Sequence, residues 1–182
     1  MLNIFKLFSK KTQKSNNALP KNGNVEHYFA NELESCEFIK KECHDIVLKH
    51  LTHQINLNKT SNKLTAEEKR SLGVNKRLSI THDLVNVLTE SGLTQSNPKD
   101  ILTSIYYRAT FAKTKDDSIK QYIDLGVKKY KISACDDEGD CEWCKSMDGK
   151  KLSVSEDINE LIKNNCKCKS HCRLCISAVL NF

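Results

Sequence analysis

The sequence predicts a mainly α-helical protein that ends in a small, β-containing, zinc-binding module. Apolar residues recur at helical spacing through the first two thirds of the chain, and turn residues separate the apolar segments. Seven of the nine cysteines then fall within residues 135–182, where a bound metal can supply folding free energy that a small core lacks. These observations divide the chain into a flexible basic tail at 1–24, a helical domain at 25–126 and a cysteine-rich module at 127–182.

The N-terminal tail carries most of the formal net charge of +6. Residues 1–24 contain five lysines and no acidic residue, whereas residues 131–182 contain eight basic and nine acidic residues. Basic tails attract nucleic acid, so nucleic-acid contact through this tail is one expectation. The apolar residues at the very start are fewer than a signal peptide or a membrane span of about 20 residues needs. We therefore expect a cytoplasmic or virion-associated protein with no transmembrane segment.

The helical region begins with a segment from Val25 to about Leu57 that contains neither glycine nor proline. Its apolar residues recur at spacings of three, four or seven, which predicts one long amphipathic helix with at most one break. Thr65 followed by Glu68 is typical of a capping box, and we expect a short helix from there to a stop at Gly73.

Two more helices and a strand follow in the prediction. The segment 75–92 predicts a helix with Leu84, Val85 and Leu88 on its inner face and Gly92 as its C-terminal stop. The next helix starts at Pro98, ends at Gly126 and places a stripe of small and apolar residues, 102, 105 and 109, against the first helix. Alternating apolar residues in 127–133 then predict the first strand of the C-terminal module.

The cysteines of the module occur in two groups. Cys141 and Cys144 form a Cys-x-x-Cys pair, and a second group contains the remaining pair Cys172 and Cys175 preceded by Cys166. Separated groups of this kind are typical of tetrahedral zinc sites. Because no secretory signal is evident, we expect reduced thiols and metal binding rather than disulfides. Spacing alone permits one metal site or two.

The two thiols of the Cys-x-x-Cys pair could also act as a redox centre. In a thioredoxin-like enzyme such a pair opens a helix after a strand of a βαβ unit. Here the pair is followed by "KSMDGKKL", in which Asp148 and Gly149 predict a tight hairpin turn, and no βαβ pattern surrounds it. We therefore prefer structural metal binding.

A longer pattern extends from about Ser96 to Leu180. It contains "IYYRATFA", then "CDDEGDCEWCKSMDGKK", then "NCKCKSHCRLC". The combination resembles the C-terminal region of the Mu F-like phage minor head proteins, the phage head morphogenesis family. The resemblance implies a minor capsid-like protein of prophage origin, and it implies that Arg108 points toward the zinc module. The zinc ligands that it implies are Cys141, Cys144, Cys166 and Cys172, with Cys168 and Cys175 in reserve.

We expect one Zn²⁺ per chain rather than two. Two ions would place thiolate clusters close together with few basic residues to offset their charge. One ion leaves at least one of Cys135, Cys168 and Cys175 as a free, buried thiol, with His171 as a further spare ligand.

The function that this reading predicts is a non-enzymatic, zinc-stabilised interaction or assembly protein. We expect a protein partner, which the resemblance implies is of capsid type, and neither a small-molecule substrate nor a catalytic residue. The alternatives are a nucleic-acid-binding protein that uses its tail and a metal-dependent hydrolase or toxin-like effector. Hydrolysis would require an open coordination position and a general base beside the metal.

Overall fold

The computed structural model describes residues 23–180, so the expectations for residues 1–22 lie outside the described part. The described chain is mainly helical with one small antiparallel sheet, which confirms the predicted fold class. Its helices are α1 Val25–Glu34, α2 His44–Leu51, α3 Ala66–Ser71, α4 His82–Val87, α5 Glu90–Leu93, α6 Lys99–Asp124, α7 Glu142–Met147 and α8 Ile158–Asn165. Its strands are β1 Lys129–Ser133, β2 Lys151–Ser153 and β3 Cys175–Ala178. None of the described helices combines the length and the apolar character needed to cross a membrane.

The predicted long first helix is two helices separated by one break. Between α1 and α2 the chain leaves helical geometry because Ile39 forms an antiparallel bridge with Leu88. A 3-10 turn over Lys41–Cys43 then leads into α2. The second helix ends at Leu51, earlier than predicted, and His53 soon afterwards adopts a positive φ of 62°.

The capping box is confirmed. The Thr65 hydroxyl accepts a hydrogen bond from the Glu68 backbone N–H at 3.3 Å, and a Glu68 carboxylate oxygen accepts one from the Thr65 N–H at 2.7 Å. Each residue satisfies a backbone donor that the first turn of a helix leaves without a partner. The helix ends before Gly73, whose φ is 69°.

The helix predicted to end at Gly92 is wrong in its extent, because that segment forms two short helices. Leu88 is extended where it pairs with Ile39, and the Thr89 hydroxyl then accepts from the Gly92 N–H at 3.2 Å to cap α5. Gly92 therefore lies inside a helix. A Cβ at this position would lie 2.6 Å from the Phe38 carbonyl oxygen, so close packing requires the glycine here, not a helix stop.

Helix α6 connects the two hydrophobic cores of the described chain. It begins after Pro98, and Gly126 with φ 75° follows its end, as predicted. Its first half packs against α1, and its second half contributes Ile119 to the core of the module. The first core contains Phe29, Leu33, Val47, Ile80, Leu84, Leu88, Leu102, Ile105 and Ala109 among others. The second contains Ile119, Tyr130, Ile132, Cys144, Met147, Ile158, Cys172 and Leu174.

The sheet of the module has the order β2-β1-β3, and both pairs are antiparallel. The central strand β1 buries Tyr130 and Ile132 completely on one face, which agrees with the predicted alternation. Gly149 has the predicted positive φ of 72°. The expected hairpin turn is wrong, however, because Gly149 joins α7 to β2 and not one strand to another.

Candidate metal centre

Five cysteine sulfurs of the module converge beside its core. The Sγ atoms of Cys141, Cys144, Cys166 and Cys168 all lie within 4.8 Å of one another. The Cys144 Sγ is 3.6 Å from each of the Cys166, Cys168 and Cys172 sulfurs. Four thiolates bound at about 2.3 Å to a tetrahedral ion are about 3.8 Å apart, whereas disulfide sulfurs are about 2.05 Å apart. The observed separations therefore fit metal ligation by thiols.

Two helix ends and a loop hold these cysteines. Cys141 is the N-cap residue of α7, Cys144 lies in the first turn of the same helix, and Cys166 is the C-cap residue of α8. Cys168 and Cys172 follow on the segment between α8 and β3. Because the core packing of the module fixes α7 and α8, it also fixes the separation of the two cysteine groups.

Backbone amides donate hydrogen bonds to the sulfurs. The Lys167 N–H donates to the Cys141 Sγ at 3.3 Å, and the Cys141 N–H donates to the Cys168 Sγ at 3.4 Å. The Cys168 N–H donates to the Cys166 Sγ at 3.5 Å. Amide donors stabilise a thiolate and orient it toward a metal. These hydrogen bonds thus join the Cys-x-x-Cys pair to the segment from Cys166 to Cys168.

The thiols differ in acidity. Burial raises the pKa of Cys144 well above its usual range, and the neighbouring Cys172 charge raises it further. Burial also raises the pKa of Cys166 and of Cys168. Burial opposes ionisation of Cys141 as well. Hydrogen bonds nevertheless lower its pKa to about 6, and the one from the Lys167 N–H has the largest effect among them. Without a metal the cluster is therefore a mixture of thiolate and thiol, and metal binding would release protons.

Three of the four predicted ligands, Cys141, Cys144 and Cys166, belong to the mutually close set. Cys168, which was predicted in reserve, completes that set. The predicted fourth ligand, Cys172, is buried and lies against Cys144. The structure thus brings all five sulfurs to one place. The Cys-x-Cys spacing of 166 and 168 could have indicated that both thiols point the same way, since it allows a tight turn around one ion.

The remaining cysteines of the module are exposed. Cys135 and Cys175 are both solvent-accessible, and Cys168 is half-buried within the cluster. The expectation of a free, buried thiol among these three is therefore wrong. Cys135 follows the end of β1 and Cys175 begins β3, an edge strand of the sheet, which places both outside the core.

The Cys-x-x-Cys pair does open a helix after a strand, since α7 follows β1 and begins directly after Cys141. The prediction placed a turn after the pair but missed the helix: the six residues of α7 precede the turn at Asp148 and Gly149. The strands on either side of α7 are antiparallel neighbours, however, and do not form a parallel βαβ unit. The pair also shares its sulfurs with a second cysteine group, an arrangement that suits a metal better than a thioredoxin-like dithiol.

Arg108 points toward the module, as predicted. Its Nε donates to the Ser170 carbonyl oxygen at 2.7 Å, and the nearby Ser104 hydroxyl lies 3.0 Å from the Ser170 hydroxyl. The partner is a backbone carbonyl oxygen of the segment between α8 and β3. The next residue, His171, stacks its ring on Tyr107 with centroids 4.7 Å apart. These contacts attach the cysteine-bearing loop to α6.

A second contact between the cores was not predicted. The Tyr28 hydroxyl donates to the Asp116 carboxylate at 2.6 Å, and the Asn159 amide donates to the same carboxylate at 2.7 Å. Burial raises the pKa of Asp116, although both hydrogen bonds lower it. This carboxylate joins α1, α6 and α8.

The acidic loop before Cys141 is held by Arg173. The guanidinium forms a two-pronged ion pair with Asp137, in which one N–H···O distance is 2.9 Å, and it also donates to the buried Asp140 at 3.1 Å. Hydrogen bonding by Arg173 lowers the pKa of Asp137 to about 2. These two carboxylates face an arginine, so they do not form a cation site. Instead they fix the approach of the chain to Cys141.

Trp143 lies between the first two cysteines in sequence. Its side chain is half-buried and packs against the second core. This position is consistent with a role in excluding water from the thiols.

Comparison of the chain with protein-family models, with curated proteins and with solved structures finds no match.

Proposed function

We propose that the chain is a non-enzymatic interaction or assembly protein whose C-terminal module is stabilised by one zinc ion. The convergence of four mutually close sulfurs, with a fifth against Cys144, supports this proposal most strongly. An all-sulfur donor set within a small module is typical of structural zinc, which contributes directly to folding.

The surroundings of the cluster support a structural ion over a catalytic one. A hydrolytic zinc keeps an open position for water and a general base beside it. Here thiols surround the site, and two shallow depressions of the described surface are lined by other residues: Glu156, Asp157, Glu160, Leu161 and Asn164 line one, and Glu26, Asp45, Leu48, Lys49 and Gln54 line the other. Neither depression contains a cysteine, so neither provides a substrate pocket at the metal.

The role in assembly follows from the resemblance to phage minor head proteins and extends it. In this proposal α6 and the zinc module form a rigid unit that presents its outer surface to a protein partner of capsid type. The contacts of Arg108 and Asp116 with the module support this rigidity, because they attach it to the helical core at two places.

X-ray absorption spectroscopy of the purified, zinc-loaded protein tests the nature of the site. We expect four sulfur neighbours at about 2.3 Å and no oxygen or nitrogen neighbour. A shell of three sulfurs and one light atom would instead support the hydrolase alternative and contradict this proposal. A chain without bound metal would contradict both.

A further inference from the structure

Lys115 is a buried lysine on the side of α6 that faces the module. Its side chain is only 5% exposed, and lysines are almost never this buried unless an opposite charge compensates them. The Nζ donates to the Phe111 carbonyl oxygen at 3.4 Å, a long contact within the same helix. Among residues 23–180, no carboxylate oxygen lies within the 4.0 Å of this Nζ that would define an ion pair. The ordinary partner of a buried lysine is therefore missing at close range.

The position of Lys115 on α6 indicates which groups compensate its charge. The Lys115 ammonium lies 5.5 Å from the centre of the Phe111 ring, and that ring contacts His171 edge to face at 5.4 Å. His171 immediately precedes Cys172, and Ile119, one turn further along α6, packs in the same core as Cys144 and Cys172. Lys115 therefore lies on the face of α6 that packs against the cysteine-bearing part of the module.

The charged groups near the ammonium agree with this position. Burial lowers the pKa of Lys115, and negative charge on Cys172 opposes that effect first, followed by Cys175, Asp116 and Cys144. Three of these four groups are thiols of the module, and two of them belong to the converging sulfurs. Four thiolates around a divalent ion carry a net charge of −2, which a nearby buried cation stabilises with little screening by salt.

We propose that Lys115 is the counter-cation of the cysteine metal centre: without binding the metal, its ammonium offsets the negative charge of the thiolates and raises the affinity for a divalent ion. The inference rests on the proposed function and adds a residue that no cysteine motif contains. In the metal-free protein the same ammonium is a buried charge with no carboxylate of residues 23–180 within ion-pair distance.

Replacing Lys115 by an uncharged residue should therefore destabilise the metal-bound protein but not the metal-free protein. Replacing Lys115 by methionine, which keeps the length and apolar stem of the side chain, should lower the Zn²⁺ affinity by about 10- to 100-fold, the usual effect of removing a group that supports metal ligands. The same substitution should leave the melting temperature of the metal-free protein unchanged or raise it. If Lys115 only packed the core, the substitution would lower both the Zn²⁺ affinity and the melting temperature of the metal-free protein.

The experiment measures Zn²⁺ affinity of the reduced protein by competition with a chromophoric chelator, together with melting in chelator, for the wild type and three variants. Lys115→Arg keeps the charge and should retain an affinity within a few-fold of the wild type. Lys113→Met is the matched control, because it removes one positive charge from the same helix at a more exposed position paired with Asp117. We expect Lys113→Met to bind zinc as the wild type does.

Each other outcome overturns the inference. Equal affinities for Lys115→Met and Lys113→Met would show that the ammonium does not act on the metal. Lys115→Met that fails to fold in chelator, or that loses metal-free stability in proportion to affinity, would show a packing role. A wild type that binds no Zn²⁺ would overturn the proposed function and this inference with it, whereas unchanged binding in Lys115→Met overturns this inference alone.

Discussion

Substitution of Cys144 by serine is the sharpest perturbation of the centre. Cys144 is fully buried, and its sulfur lies 3.6 Å from three other sulfurs, so a serine removes the ligand with the most sulfur neighbours in the cluster. At a free zinc concentration about 1,000 times Kd, the wild type gains about 4 kcal/mol from the metal. A serine hydroxyl left without a partner in the same buried site costs a further ~1–3 kcal/mol. The variant should therefore lose about 5–7 kcal/mol in zinc, comparable with the total stability of a small domain.

In the presence of a chelator only the second contribution remains, and the variant should be ~1–3 kcal/mol less stable than the wild type. Hydrogen exchange of the amides in β1, α7 and α8, with thermal melting followed by circular dichroism, measures both conditions. Cys135→Ser is the control, because this exposed thiol lies outside the cluster and should change stability by less than about 0.5 kcal/mol. An equal loss for Cys144→Ser with and without chelator would refute the reasoning.

Two further predictions concern the helical region. Gly92→Ala should lower the free energy of unfolding by about 1–3 kcal/mol, because the new Cβ would lie 2.6 Å from the Phe38 carbonyl oxygen. This loss is expected even though alanine ordinarily favours a helix by about 1 kcal/mol over glycine. A higher melting temperature for this variant would contradict the close approach. The second prediction concerns His50, whose pKa is lowered by burial. Its Nδ1 accepts a hydrogen bond from the Leu57 N–H at 3.3 Å. As the pH falls, His50 is protonated in the unfolded chain before it is protonated in the folded protein. The stability that neutral His50 contributes is therefore present above its ordinary pKa of 6.5 and is lost as the pH falls below it. The stability difference between wild type and His50→Asn, measured by urea unfolding, should narrow from pH 7 to pH 5, and a constant difference would contradict it.

The parts of the fold that local chemistry determines could be predicted from the sequence. The capping box of Thr65 and Glu68, and the limits of α6 at Pro98 and Gly126, depend on residues within a few positions of each other. The break after α1 could not be located, because a bridge between Ile39 and a residue far along the chain causes it. The role of Gly92 depends on a neighbour from another segment in the same way.

The site shows the same limit. Cysteine spacing predicted a metal centre in the module, and three of the implied ligands are in the close set. Spacing could not choose between Cys168 and Cys172, since the fold of the loop after α8 brings both beside Cys144. Lys115 had a signal that was available: it interrupts the apolar stripe of α6 between Ala112 and Ile119. A charged residue on a buried helix face indicates that an opposite charge lies nearby.

The number of metal ions bound per chain tests the central claim most directly. Native mass spectrometry of the purified, reduced protein, supported by elemental analysis, counts and identifies the metal without any assumption about function. We predict one zinc ion per chain, held by four of the five converging cysteines and lost when Cys144 is replaced by serine but not when Cys135 is. Two ions per chain, or none, would contradict it.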